Sequence, residues 1–191
     1  MNVDYINEVQ SLYVAYFSRP ADPGGLAFWN RYLQDRPDAI QDIARAFASS
    51  AEYRSVYGGL DNRAMIAEIY DNLFGRAAEG AGIDFWARAL DTGALGIDNV
   101  VLGIAAGAQD ADRVAFNAKV DVAMLFTDHI DTVGEALAYQ GEKVRIAVDY
   151  IAAVKDAETR LLYIDPVKID ETILKIVGTQ TMAEALDPVL V

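Results

Sequence analysis

Between residues 4 and 17 the apolar positions Val9, Leu12, Tyr13, Tyr16 and Phe17 recur three and four residues apart, the spacing that lines one face of an α-helix. Arg19-Pro20 ends that pattern, because proline disfavours helix at the residue before it. Asp22-Pro23 then reads as an N-cap followed by a first helical residue: the carboxylate can accept from orphan amides, and proline has no N–H to leave unpaired. The helix it opens is predicted to bury Leu26, Trp29, Tyr32 and Leu33. Pro37 and Asp38 open a third with Ile40, Ile43, Ala44 and Phe47 inward, and Ser49-Ser50-Ala51-Glu52 reads as a capping box for a short fourth that Gly58-Gly59 stops.

The pattern then repeats. Tyr13, Phe17, Arg19, Gly25, Phe28, Trp29, Arg31 and Leu33 return as Tyr70, Phe74, Arg76, Gly82, Phe85, Trp86, Arg88 and Leu90, each 57 positions on. Asp61 or Asn62 caps a helix striped by Met65, Ile66, Ile69, Tyr70, Leu73 and Phe74, while Ile83, Trp86 and Leu90 line the next and Ile97, Val100, Val101 and Ile104 a third. The copies diverge after Gly107, where Gly107-Ala108-Gln109-Asp110 replaces Ser50-Ala51-Glu52-Tyr53, so the short fourth helix is expected to be altered or to merge into the next one. A long helix through Val120, Val122, Ala123, Leu125 and Phe126 leads to His129, followed by helices carrying Val144, Ile146, Ala147, Tyr150, Ile151 and Val154. Asp165-Pro166 starts another that Gly178 stops; Thr181-Met182-Ala183-Glu184 reads as the cap of a last short helix, and 186–191 as an extended run.

Strand signals are almost absent. The chain is therefore predicted to be an all-α bundle of roughly nine to eleven helices: two tandem copies of a roughly 57-residue helical unit over 1–111 (units 1–58 and 61–111) plus a C-terminal helical region, 112–191, packed on them. Its final residues read equally as a linker into a longer protein.

Composition narrows the function more than the fold. With 53% hydrophobic residues, the 191-residue chain can bury a substantial core, and having no Cys it offers neither disulfides nor thiolate metal sites. Sixteen Lys and Arg against 29 Asp and Glu give a net charge of −13, which repels a phosphate backbone, so nucleic acid is not an expected partner. No stretch reaches the ~18–20 apolar residues of a membrane span, and residues 1–8 carry no conventional export signal.

The candidate sites weigh towards structure. One histidine, His129, excludes a His-based triad or a multi-histidine metal site. Asp110 and Asp112, and Asp128 and Asp131, are the nearest approach to acidic clusters, but neither has the ligand spacing of an EF-hand, and Gly24-Gly25 and Gly58-Gly59 follow helices rather than strands. In the loops Arg19-Pro20-Ala21-Asp22 and Arg76-Ala77-Ala78-Glu79, the acid reads first as the cap of the following helix, with the arginine paired to it or to preceding carbonyls; the ligand reading makes Arg19, Asp22, Arg76 and Glu79 a binding loop. Phe28-Trp29 and Phe85-Trp86 read as core before they read as sugar platforms. Tyr53, Tyr57, Tyr139 and Tyr163, near helix ends, are the better surface candidates for sugar. Arg31 and Arg36, with Arg45 and Arg54, offer one basic groove; Lys143, Arg145, Lys155, Lys168 and Lys175 offer another.

The twice-repeated tyrosine-aromatic helix end, Arg-x-x-(Asp/Glu)-x-x-Gly loop and Phe-Trp pair resembles a bacterial domain-of-unknown-function family, similar in helical architecture to phycobilisome linker domains. The resemblance runs over about 9–107 and more weakly through Asn117-Ala118-Lys119-Val120 and Phe126-Thr127. It implies an N-terminal module of a large S-layer or RTX-type protein exported by type I secretion, without an N-terminal signal, that holds the protein to surface polysaccharide such as lipopolysaccharide. The glycine- and aspartate-rich calcium repeats of such proteins are not in this chain.

The expectation is a non-enzymatic, extracellular anchoring or assembly module that binds polysaccharide or self-associates. It needs no cofactor, and calcium assistance is allowed. The rival reading is an intracellular scaffold joining other proteins through its helix faces.

Overall fold

In the computed structural model, which describes residues 4–178, the first unit comprises α1 (Ile6–Phe17), α2 (Pro23–Asp35), α3 (Ile40–Ala48) and α4 (Ala51–Tyr57). The second comprises α5 (Asn62–Phe74), α6 (Gly80–Asp91) and α7 (Ile97–Gly107). Then come α8 (Asp110–Asp128), α9 (Val133–Ala138), a 3-10 turn at Gly141–Lys143, α10 (Val144–Ala152), α11 (Ala157–Tyr163) and α12 (Pro166–Val177). The described residues hold twelve α-helices, more than the nine to eleven expected, because the short segments 133–138 and 157–163 each form a helix opened by its own capping box. No strand occurs among the described residues, so the all-α class holds. The expected cap at Thr181 and the run 186–191 lie outside the described residues.

The predicted caps are largely in place. Asp22 accepts from Gly25 N at 2.7 Å, Asp61 from Ala64 N at 2.8 Å and Asp165 from Val167 N at 3.0 Å. Three differ. α3 starts only at Ile40, after Ala39, without the cap expected from Pro37-Asp38. Ser50 rather than Ser49 caps α4, through Tyr53 N at 3.1 Å, which leaves Glu52 out of the box position and free to turn its carboxylate to Arg19. Glu79 sits at the N-cap of α6 without capping it, and Arg76 takes its carboxylate at 2.7 Å.

Equivalent helices of the two units face each other, α1 against α5 and α3 against α7, as a pseudo-two-fold pairing requires. One contiguous core results, running from Val9 to Ile176. The expected short fourth helix of the second unit is absorbed into α8, whose 19 residues pack on α1, α5, α10 and α11. Repeated glycines serve this packing: a Cβ at Gly25 would collide with the Tyr13 hydroxyl, and one at Gly82 would come within 3.2 Å of the Tyr70 hydroxyl.

Two sets of aromatic expectations are overturned. Phe28 and Phe85 stand in solvent, 61% and 65% exposed, whereas Trp29 and Trp86 are partly buried and pack on the core as expected, Trp29 edge-on to Phe47 with ring centroids 5.8 Å apart. Conversely, Tyr53, Tyr57 and Tyr139 are buried, with ring contacts to one another or to Tyr16 and Phe126, and so cannot be surface sugar platforms. Tyr163 is half-buried under the Lys168 ammonium, 3.4 Å from its ring centroid.

Candidate functional site

The loop after α1 is clasped from both sides. Arg19 donates through Nε and Nη2 to the two Glu52 oxygens at 2.6 and 2.9 Å, and through Nη1 to its neighbour's carbonyl, Pro20 O, at 2.9 Å. Its guanidinium also lies 5.1–5.6 Å from the Tyr13, Phe17 and Tyr139 ring centroids. Burial opposes its charge, but the Glu52 carboxylate more than offsets this and holds the guanidinium firmly protonated. The C-terminal region seals the loop: Tyr139 donates to Pro20 O at 2.8 Å and Thr127 to Ala21 O at 2.8 Å.

The second unit builds the same clasp one helical turn further along. The position matching Glu52 is Gln109, so Arg76 reaches instead to both Asp112 oxygens, at 2.7 and 2.6 Å, in the first turn of α8. It is the more open clasp, the Arg76 side chain being 36% exposed against 9% for Arg19. Glu79 is held below the ordinary carboxylate range by its own backbone N–H and by Arg76. Ile104 stands where the first unit has Phe47, and beside this clasp the smaller side chain leaves a pocket of about 140 Å³ that Trp86 also lines.

A much larger concavity than that pocket lies elsewhere, between the two units and the C-terminal helices. It is a half-open cleft of about 990 Å³, walled by α4 and α5 on one side and by the segment from α9 to α10 on the other. Tyr16, Phe17, Tyr57 and Tyr139 face it from the core, and exposed Val56 and Leu137 stand at its rim. Its charges are one-sided. Arg19 and Arg145 are its cations, and both are committed, to Glu52 and Asp149. Glu68, Asp71 and Glu142 are exposed carboxylates with no ion pair among the described residues. At its base Asn72 donates to the Tyr57 hydroxyl at 3.0 Å, and burial pushes that phenol up to about 12.

Of the six predicted site residues, the cleft brings together Arg19 and Asp22; Arg76 and Glu79 border the small pocket of the second unit. Arg31 and Arg36 belong to neither. Both are exposed on or just after α2, Arg36 over the Tyr32 ring at 4.8 Å and Arg31 one turn from Phe28. Among the described residues no three carboxylate or imidazole groups converge closely enough to hold a metal ion.

Sequence reasoning missed the cleft, because α9, α10 and α5 meet there only through tertiary packing. It also missed Lys119, buried in α8, whose ammonium donates to Ile151 O at 3.2 Å near the carbonyl end of α10. Burial lowers that lysine to about 8; Asp71 opposes the shift and Lys155 adds to it. The one available signal was a lysine in the apolar run Ala118-Lys119-Val120.

Residues 44–113 match a family described as a domain of unknown function, DUF4214. The matched stretch takes in the second unit with its Arg76–Asp112 clasp, and the end of α3 and all of α4 in the first. No curated protein and no solved structure matches the chain.

Proposed function

We propose that this chain is a non-enzymatic anchoring module of a secreted bacterial surface protein, and that it holds polysaccharide through two equivalent aromatic-arginine faces. One observation carries the reading: Phe28 with Arg31 on α2, and Phe85 with Arg88 on α6, are exposed pairs at matched positions of the two units. Residues three apart on a helix share a face, so each pair sets a ring beside a guanidinium. A ring face packs on the C–H face of a sugar, and a guanidinium donates to its hydroxyls or to an anionic substituent. Neither Arg31 nor Arg88 makes an ion pair among the described residues, so both cations remain available on a chain of net charge −13. Two weak faces on one rigid body bind a repeating polymer more tightly than either alone.

The test is retention of the chain on immobilised lipopolysaccharide with and without calcium. Phe28→Ala or Phe85→Ala alone should weaken retention by about 0.5–1.5 kcal/mol, and the pair together by more than either. Retention in neither buffer, or a double variant that binds as the parent does, would sink the reading. The rival, an intracellular scaffold, draws on the acid-lined cleft. Secretome mass spectrometry separates the two, since a protein found only in the cytosol favours the scaffold.

A further inference from the structure

The duplication provides an internal control for the cleft. Both α1 and α5 end on a residue in the left-handed region, Ser18 at φ 53° and Gly75 at φ 65°. Glycine adopts that conformation freely and serine does not. Ser18 is also 5% exposed, its hydroxyl shut off from solvent and held against the Tyr57 phenol without full hydrogen-bond geometry. The first unit therefore carries two local costs that the second avoids at the matched position. The residue that bears them lines the cleft.

That orphan hydroxyl adjoins a surface of fixed electrostatic sign. Glu68 and Asp71 share a face of α5, and Glu142 looks across from the 3-10 turn, all three exposed and none in an ion pair among the described residues. Val56 and Leu137 supply apolar contact beside them, 50% and 65% exposed. The four aromatic side chains facing the cleft are all buried, so they give no stacking platform for a sugar ring.

We infer that this cleft docks a basic amphipathic segment of a partner protein, its lysines or arginines meeting Glu68, Asp71 and Glu142, and its apolar side meeting Val56 and Leu137. Complementary charge selects the partner and speeds encounter, and the apolar wall sets its register. The site shares no residue with the Phe28–Arg31 and Phe85–Arg88 faces, so it stands or falls apart from polysaccharide binding.

The experiment uses the full chain and three synthetic helical peptides of about 18 residues, built from lysine and leucine, from glutamate and leucine, or from lysine and serine, with binding read by fluorescence anisotropy at low and moderate salt. The lysine-leucine peptide should bind, more weakly as salt rises, and the other two at least tenfold less tightly. Glu68→Gln, Asp71→Asn and Glu142→Gln together should weaken it tenfold or more. The same charge change away from the cleft, Asp38→Asn, Glu158→Gln and Glu171→Gln, should leave it within twofold. Equal losses in the two triple variants would show general attraction to an acidic protein and overturn the site, and so would equal binding of the lysine-serine peptide, which has no apolar side to meet Val56 and Leu137.

Discussion

Exchanging the residues at the two helix ends, Ser18→Gly and Gly75→Ser, isolates what the first unit sacrifices in local stability. At Ser18 the left-handed backbone costs a residue with a Cβ about 1 kcal/mol, and burying a hydroxyl without a partner costs about 1–3 kcal/mol more. Glycine removes both terms and keeps the capping bond from the residue 18 amide to Val14 O, at 3.0 Å. Its extra freedom in the unfolded chain takes back about 0.5–1 kcal/mol. Ser18→Gly is therefore expected to stabilise by about 1–3.5 kcal/mol, a rise of about 2–14 °C in Tm for a domain of this size. Gly75→Ser should do the reverse. It introduces the same backbone cost at φ 65°, and its Cβ comes within 3.0 Å of the Lys155 stem, which must move. Thermal and urea unfolding of both variants, with an unchanged m-value as the sign that the same native state is compared, measures each difference. If Ser18→Gly proves neutral or destabilising while Gly75→Ser is destabilising, the Ser18 side chain is satisfied in the free protein and its hydroxyl is no orphan.

The two clasps should differ in strength in proportion to their burial. Arg19→Met leaves the Glu52 carboxylate without its donor and Pro20 O with Tyr139 alone, and should cost about 3 kcal/mol, whereas Arg76→Met in the more open clasp should cost about 1 kcal/mol; equal losses in urea titrations would refute the ranking. Alkaline stability should first rise and then collapse. Lys119 titrates near 8 in the fold against 10.5 when unfolded, so between those values the unfolded chain binds more protons and stability increases with pH; Lys119→Met should abolish that rise. Tyr13, Tyr16, Tyr53, Tyr57, Tyr139 and Tyr150 are all pushed above the ordinary value of 10 by burial, so above about pH 10 the unfolded chain loses protons first and stability falls. A urea midpoint that drops steadily from pH 8 would contradict the lysine assignment.

Helices, caps and the repeat were legible in the chain because each rests on local chemistry. An i, i+3, i+4 stripe such as Val9-Leu12-Tyr13-Tyr16 needs only its own turns to declare a helix, and Asp22-Pro23 or Asp165-Pro166 needs only the first amides of the helix it starts. The 57-residue spacing of the two units likewise showed that their shared residues make one scaffold twice. Which large side chains that scaffold buries was decided by tertiary packing. Phe28 and Trp29 are adjacent on α2, yet neighbouring helices cover the Leu26, Trp29 and Leu33 side and leave Phe28 outside. Nor could local pattern show that Glu52 leaves its own helix end for Arg19, 33 residues away, or that Gln109 passes that role to Asp112. Long-range pairing depends on where rigid helices come to rest, and periodicity along one chain carries no record of that. The cleft is the clearest case, because its acidic and apolar walls come from segments some 70 residues apart in sequence that meet only when α9 and α10 fold back over the first unit.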